Sequence, residues 1–345
     1  MSWLDDLDDE EPEFDEADVR SRPNPKANRP RTKRRPAHAD AVIARVLGVD
    51  RGRYTVLVDE DGPEEHEVLA VRARELRRQP IVTGDRARVV GDVSGDAGTL
   101  ARIVGIEERT SLLRRSADDT DQVERVIVAG ADQMLVVVAA ADPEPRPRLV
   151  DRYLIAALDA GIHPLLVVTK TDLADPAGFL AHFEGLDDLE VFTSGRGRMP
   201  VEEIGARLVG HSTVFVGHSG VGKSTLVNAL VQGADRATGH VNEVTGRGRH
   251  TSSSTVSLRY RGPGGTGWVI DTPGVRSFGL GHVDTANILR AFSDLAAVAE
   301  ECPRGCTHLP DAPDCAIVEA VHEGRLGERG AARLDSLQRL LTTFA

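Results

Sequence analysis

Gly217-His218-Ser219-Gly220-Val221-Gly222-Lys223-Ser224 fits the pattern G-x-x-x-x-G-K-[ST], and its surroundings decide how it is read. Thr213-Val214-Phe215-Val216 ahead of it predicts a buried strand, and Thr225-Leu226-Val227-Asn228-Ala229-Leu230 behind it predicts a helix. The loop therefore stands in the strand-loop-helix context that phosphate binding requires. Glycines at 217, 220 and 222 let backbone N–H groups turn inward around a triphosphate, and the helix N-terminus adds partial positive charge. Lys223 is expected to reach the β- and γ-phosphates and Ser224 to hold Mg²⁺; His218, Ser219, Val221 and Thr225 complete the predicted cradle.

Upstream of this loop, apolar runs alternate with helical periods from about Val126 onward. Gln133 to Ala140 and Pro164 to Val168 read as strands and Leu149 to Ala160 as a helix; Phe179 to Phe183, Leu189 to Thr193 and Val201 to Val209 continue the alternation. That is the signature of a parallel sheet covered on both faces, whose ligands gather at the carboxyl ends of strands. Three strand ends carry chemistry. Thr169-Lys170-Thr171-Asp172 offers an aspartate that can accept from guanine N1–H and the exocyclic amine, with the lysine stem against the purine. Thr193-Ser194-Gly195 resembles an element whose backbone amide contacts guanine O6. Asp271-Thr272-Pro273-Gly274 ends a strand where Asp271 would act through the Mg²⁺ hydration shell and the Gly274 N–H would sense the γ-phosphate. In a Ras-like GTPase the phosphate loop comes first and the base-reading motifs last. Here the base-reading motifs come first, so the domain is expected to be circularly permuted, which moves the termini and leaves the assembled site intact.

Ahead of that sheet, residues 39–108 contain five strand-like runs broken by Gly and Pro, with Arg72 to Arg78 between the third and fourth as either a short helix or a basic loop. This pattern predicts a small OB-fold barrel, an architecture often used to bind oligonucleotides. The formal charge of −12 is unevenly spread: residues 1–18 carry ten Asp and Glu and no Lys or Arg, which leaves the rest of the chain at −2. Arg20, Arg22, Lys26, Arg29, Arg31, Lys33, Arg34 and Arg35 follow among prolines. Residues 1–38 are accordingly expected to be a disordered arm, read either as an RNA-attracting segment or as a solubilising tail. The acidic start is unlike a signal peptide, and no apolar run is long enough for a membrane helix, which points to a cytoplasmic protein.

Past the switches lie all three cysteines of the chain. Cys302-x₃-Cys306-x-His308-x₆-Cys315 supplies three thiolates and one imidazole, the number and softness of a closed tetrahedral Zn²⁺ site. Four protein ligands leave no open position, so the metal is expected to be structural and to fix a small helical domain.

With these motifs in this order, the chain from about Ala39 onward resembles the RsgA/YjeQ family of circularly permuted, ribosome-associated GTPases. Asp151-Arg152-Tyr153-Leu154, Gly248-Arg249-His250-Thr251 and Asp271-Thr272-Pro273-Gly274-Val275-Arg276 carry the resemblance together with the cysteine-histidine knot. It implies an OB-fold barrel over 39–108, a permuted α/β GTPase domain over 109–281 and a zinc-binding helical domain over 282–345. It also implies GTP hydrolysis in late maturation of the small (30S) ribosomal subunit, with binding to its rRNA, stimulation by that subunit and release after hydrolysis.

The chain departs from the Ras-like pattern in two places. Val275 and Arg276 stand where a Ras-like enzyme carries its water-orienting glutamine, so the resemblance passes that role to His250, which joins Lys223 as a candidate catalytic residue. Thr251 or Ser252, within the switch segment Asp235 to Ser254, is expected to coordinate Mg²⁺ beside Ser224. Thr169 replaces the usual Asn, so guanine preference leans on Asp172. The competing readings are a non-enzymatic RNA-binding checkpoint that uses nucleotide only as a switch, and a P-loop kinase or ATPase, against which Asp172 argues. Nothing in the sequence calls for an oligomer.

Overall fold

A computed structural model describes residues 38–76, 79–116, 124–186, 188–231, 234, 255–273, 278 and 280–343. The arm, the switch segment 235–254 and Gly274 lie outside the described residues.

The five strands expected between 39 and 108 are β1 (Val42–Asp50), β2 (Arg53–Val58), β3 (His66–Arg72), β4 (Arg86–Val90) and β5 (Ala101–Ile106). They pair in the order β1-β2-β3-β5-β4 and close through β4 onto β1; β3 and β5 run parallel and the other pairs antiparallel. A period of two decides what fills the barrel: Ala44 and Val46, Tyr54 and Val56, Val68 and Ala70, Ala87 and Val89, Ala101 and Ile103 all point inward. Apart from Tyr54, small and branched side chains suffice because a five-stranded barrel is narrow. Arg74–Leu76 is a 3-10 turn, which decides between the helix and the loop expected there.

A hairpin that the sequence pattern does not announce, β6 (Leu112–Ser116) and β7 (Glu124–Ala129), follows the barrel and forms its own two-stranded sheet. The Ala129 N–H donates to Thr83 O at 3.1 Å, so the hairpin is stitched to the barrel.

The α/β body comprises β8 (Gln133–Ala139), α1 (Pro147–Asp159), β9 (His163–Thr169), α2 (Ala177–Leu180) with a 3-10 turn (Ala181–Phe183), β10 (Glu190–Thr193), α3 (Val201–Leu208), β11 (Ser212–Val216), α4 (Lys223–Leu230), β12 (Val256–Gly262) and β13 (Gly265–Asp271). Its strand order is β10-β9-β8-β11-β13-β12, parallel throughout except for the antiparallel β12–β13 hairpin. Strand β8 shows why a continuous apolar run is needed. Met134, Val136 and Val138 pack on the side of α1, and Leu135, Val137 and Ala139 on the side of α3 and α4. The phosphate-loop strand β11 is central, with strands earlier in sequence on one side and later strands on the other, as circular permutation requires. One further pairing, Gly48 of β1 with Val256 of β12, joins the barrel to this sheet.

Helices α5 (Thr285–Arg290), α6 (Ser293–Ala299), α7 (Ala316–His322) and α8 (Gly330–Thr342) make up the C-terminal body. Ile288, Phe292, Leu295, Ile317, Leu337 and Leu340 form its core together with Ile155 of α1. Asp284 caps α5, accepting from the Ala286 N–H at 2.9 Å. Arg339 of α8 pairs with Asp151 of α1. Desolvation holds the Asp151 carboxyl above its ordinary range even beside that guanidinium, so the pair fixes the geometry of the contact more than it adds stability. Among the described residues no helix is long and apolar enough to cross a membrane.

Candidate functional site

Strand β11 delivers the phosphate loop to the middle of the sheet, and three positions show why it must be glycine-rich. A Cβ on Gly217 would lie 2.5 Å from the Val137 carbonyl oxygen. Gly220 and Gly222 adopt left-handed φ of 85° and 92°, and Gly222 caps α4. Between them Val221 is buried in the core beneath the loop, and Leu226, Val227 and Leu230 bury the inner face of α4, so both ends of the loop are fixed. Ser219, Gly220, Ser224 and Thr225 remain exposed, and His218 is half-buried. Lys223 pairs with the carboxylate of Asp271, both side chains being about nine-tenths buried. Asp271 reaches that place because β13 runs parallel to β11 with Phe215 opposite Asp271. The next residue locks the register: the Thr272 hydroxyl, fully buried, donates to Phe215 O at 2.7 Å.

The two elements expected to read the base meet on adjacent strand ends. Strands β9 and β10 are parallel with Thr193 opposite Val168. Beyond them the Ser194 N–H donates to Val168 O at 2.8 Å and the Thr171 N–H to Ser194 O at 3.1 Å. The Arg196 N–H then donates to Asp172 Oδ1 at 2.9 Å, which holds the carboxylate. The approach at Gly195 is close, since a Cβ there would sit 3.0 Å from Thr171 Oγ1. Lys170 takes a left-handed φ of 56°, and its ammonium donates to Asp142 O.

Thr169 links this half of the site to the phosphate loop. Its buried hydroxyl donates to Val221 O at 2.6 Å and lies 3.2 Å from Val138 O. The absent asparagine amide therefore does not leave the loop unbraced, because a hydroxyl reaches the loop carbonyl directly. The expected residues Thr169, Lys170, Asp172, Ser194, Lys223 and Asp271 thus gather at the carboxyl edge of one sheet. His250, Thr251, Ser252 and Gly274 lie outside the described residues. The Asp142 carbonyl and the Arg196 amide are backbone partners that no motif marks.

The cysteine-histidine cluster, which could hold a metal ion, is a second centre. Ligand atoms of Cys302, Cys306, His308 and Cys315 all lie within 4.8 Å of one another, and His308 Nδ1 is 3.7 Å from both Cys302 Sγ and Cys315 Sγ. A tetrahedral ion with bonds of about 2.3 Å to sulfur and 2.0 Å to nitrogen sets that S···N spacing near 3.5 Å, so the donor set fits. Burial pushes the His308 imidazole below the ordinary histidine range, toward the neutral form that can ligate. Gln338 of α8 donates to His308 O at 3.1 Å and ties the knot to the helical core. Cys315 is buried where it leads into α7.

The family model described as RsgA GTPase matches residues 106–281. A "Small ribosomal subunit biogenesis GTPase RsgA 1" of Vibrio vulnificus is 37% identical over 291 residues, covering 82% of this chain and 80% of the relative. A protein of Azotobacter vinelandii named "Small ribosomal subunit biogenesis GTPase RsgA" is 40% identical over 292 residues, covering 83% and 81%. In fold, the chain is similar to the crystal structure of YjeQ from Thermotoga maritima, with a TM-score of 0.62, 24% identity and coverage of 88% of this chain and 98% of that one. YloQ, titled a circularly permuted GTPase, gives a TM-score of 0.59 at 20% identity over 88% of this chain and 96% of that one. With the family model over residues 106–281 and relatives 37–40% identical along four fifths of their length, the chain belongs to the RsgA family of GTPases.

Proposed function

We propose that this GTPase acts in late maturation of the small ribosomal subunit, binding the subunit and its rRNA and leaving after GTP is hydrolysed to GDP and phosphate. The observation that carries the nucleotide reading is the convergence of Lys223, Asp271 and Asp172 on one sheet edge, with the Thr169 hydroxyl tying base half to phosphate half. The relatives' printed names supply the subunit.

In this reading Asp172 accepts from guanine N1–H and the exocyclic amine, with Lys170 against the purine face and the Ser194 element beside O6. Gly217 to Gly222 turn N–H groups toward the phosphates, and Lys223 neutralises charge developing on the β- and γ-oxygens. Lys223 leaves Asp271 to do so. Ser224 and Thr251, or Ser252 in place of Thr251, would hold the Mg²⁺ that comes with GTP, with Asp271 acting through its hydration shell, and the ion would supply charge neutralisation at the phosphates. Gly274 would sense the γ-phosphate, and His250 would orient the attacking water. Zn²⁺ suits the thiolate-rich knot as a structural ion that holds residues 282–345. The barrel, residues 39–108, and the zinc domain grip rRNA around the GTPase domain, residues 109–281. The protein works as a cytoplasmic monomer.

The test is single-turnover GTP hydrolysis titrated with small subunits, large subunits and free rRNA, run on the full chain and on His250→Ala. Stimulation confined to the small subunit and lost in His250→Ala, with GTP binding retained, is the expected result. Equal stimulation by large subunits overturns the partner. Full stimulated turnover in His250→Ala overturns the role of His250.

A further inference from the structure

The β12–β13 hairpin has the nucleotide site at one end and the barrel along its side. At its open end Val256 stands opposite Asp271, the partner of Lys223, and Val256 is also the residue that pairs with Gly48 of the barrel. Three residue pairs along the hairpin, Arg259 stands opposite Trp268. Two guanidiniums, Arg45 of the barrel and Arg259 of the hairpin, stack over the Trp268 indole, each 4.7 Å from its ring centre. Glu60, in the β2–β3 connection of the barrel, closes the group: its Oε1 accepts from Arg45 Nε and from Trp268 Nε1, both at 2.8 Å. The same connection supplies Asp61 to Arg259 and Glu65 to Arg261 at 3.0 Å. The indole, Arg45 and Glu60 are almost fully buried.

A buried, stacked and charge-paired joint has few alternative arrangements, so it transmits displacement instead of absorbing it. Arg45 also reaches the Ser212 hydroxyl at 3.3 Å, at the start of the phosphate-loop strand. By contrast Thr169, Asp172 and Ser194 stand at or just past the carboxyl ends of β9 and β10, at the far side of the sheet from the barrel.

We propose that Glu60 and Trp268 are positioning residues for the reaction: the barrel holds the β12–β13 hairpin through them and so sets where Asp271 lies when a γ-phosphate is present. The consequence is asymmetric. GDP draws its contacts from the base-reading strands and from a phosphate loop that Thr169 also braces from the far side of the sheet, whereas GTP adds contacts at Asp271 and beyond. Loosening the joint therefore weakens GTP selectively. The coupling runs both ways, so a load on the barrel alters GTP affinity. Nucleotide binding alone reads this out, whatever ribosomal particle the protein serves.

The experiment uses the full chain carrying Trp3→Phe, which leaves Trp268 as the sole tryptophan. Affinities for GDP and for a non-hydrolysable GTP analogue are measured with Mg²⁺ in this protein and in its Glu60→Gln derivative. The expected result is a fivefold or greater loss for the GTP analogue with GDP held within about twofold, together with a Trp268 emission change on adding the analogue. A merely structural Glu60 lowers the thermal midpoint and leaves the ratio of the two affinities unchanged; that outcome, or an equal loss for both nucleotides, overturns the proposal. So does a Trp268 emission that ignores the GTP analogue. Should Glu60→Gln not fold, Arg45→Lys keeps the charge and removes the planar face over the indole, and the same affinity ratio decides.

Discussion

The two halves of the nucleotide site are held in opposite ways. Asp172, Ser194 and Thr169 are fixed by hydrogen bonds among the ends of β9 and β10 and the phosphate loop, all within the α/β body. Asp271 sits on a hairpin whose side is clasped by another body, through Glu60, Asp61, Glu65 and Arg45 of the barrel. A base is the same in GDP and GTP, so its reader gains from being rigid and self-contained. A γ-phosphate comes and goes, and the element beside it is the one open to outside influence.

The sharpest way to break this comparison is to change the reader without moving it. In Asp172→Asn the side-chain oxygen still accepts from the Arg196 N–H, which preserves the geometry of the loop. What changes is the loss of an acceptor for guanine and the gain of an amide donor. With charged hydrogen bonds worth about 1.5–3 kcal/mol, GTP and GDP affinity should each fall by about a hundredfold while xanthosine nucleotides gain. Competition binding checks this; unchanged selectivity rejects the base-reading role.

What the chain discloses about itself follows the same division. Gly217 to Ser224, Thr169 to Asp172 and the cysteine spacing are local arrangements, readable because the chemistry needs consecutive residues. The barrel strands are readable because inward Ala and Val alternate with outward polar residues. Strand β12 hides because Val256-Ser257-Leu258-Arg259-Tyr260-Arg261-Gly262 carries two arginines, whose carboxylate partners Asp61 and Glu65 lie almost two hundred residues earlier. Hairpin β6–β7 hides for a similar reason, with Arg114 in a five-residue strand. The brace from Thr169 to Val221 spans fifty-two positions and leaves no local mark.

That brace gives a milder test. Thr169→Val keeps the shape and removes the hydroxyl, leaving the buried Val221 carbonyl without this donor. A neutral hydrogen bond of about 1 kcal/mol predicts roughly fivefold weaker binding. Because the brace belongs to the self-contained half, GDP and GTP should weaken equally, opposite to the selective loss expected at Glu60. Calorimetric titration of both nucleotides distinguishes the two patterns, and a loss confined to GTP contradicts the division drawn here.

The smallest effect lies in the barrel's own stiffness. His66 follows Glu65 directly, and its ring nitrogens face two carbonyls, Glu64 O at 2.5 Å and Val93 O at 2.7 Å. Both bonds form only when both nitrogens carry hydrogen, so the imidazolium staples the β2–β3 connection to the segment after β4. The bond to Glu64 O, then that to Val93 O, raises the His66 pKa, with the Glu64 and Asp59 carboxylates adding to it. A raised histidine stabilises fully below the unfolded value of about 6.5 and loses that contribution as pH climbs through the folded pKa. The chain should therefore melt above His66→Gln by on the order of 1 °C at about pH 5.5, and the gap should close by about pH 9. GDP affinity should not follow this titration, because the connection that His66 staples carries Glu60 and Glu65 toward the hairpin and nothing toward the base; a GDP affinity that tracked it would mean that the barrel reaches the base-reading half as well.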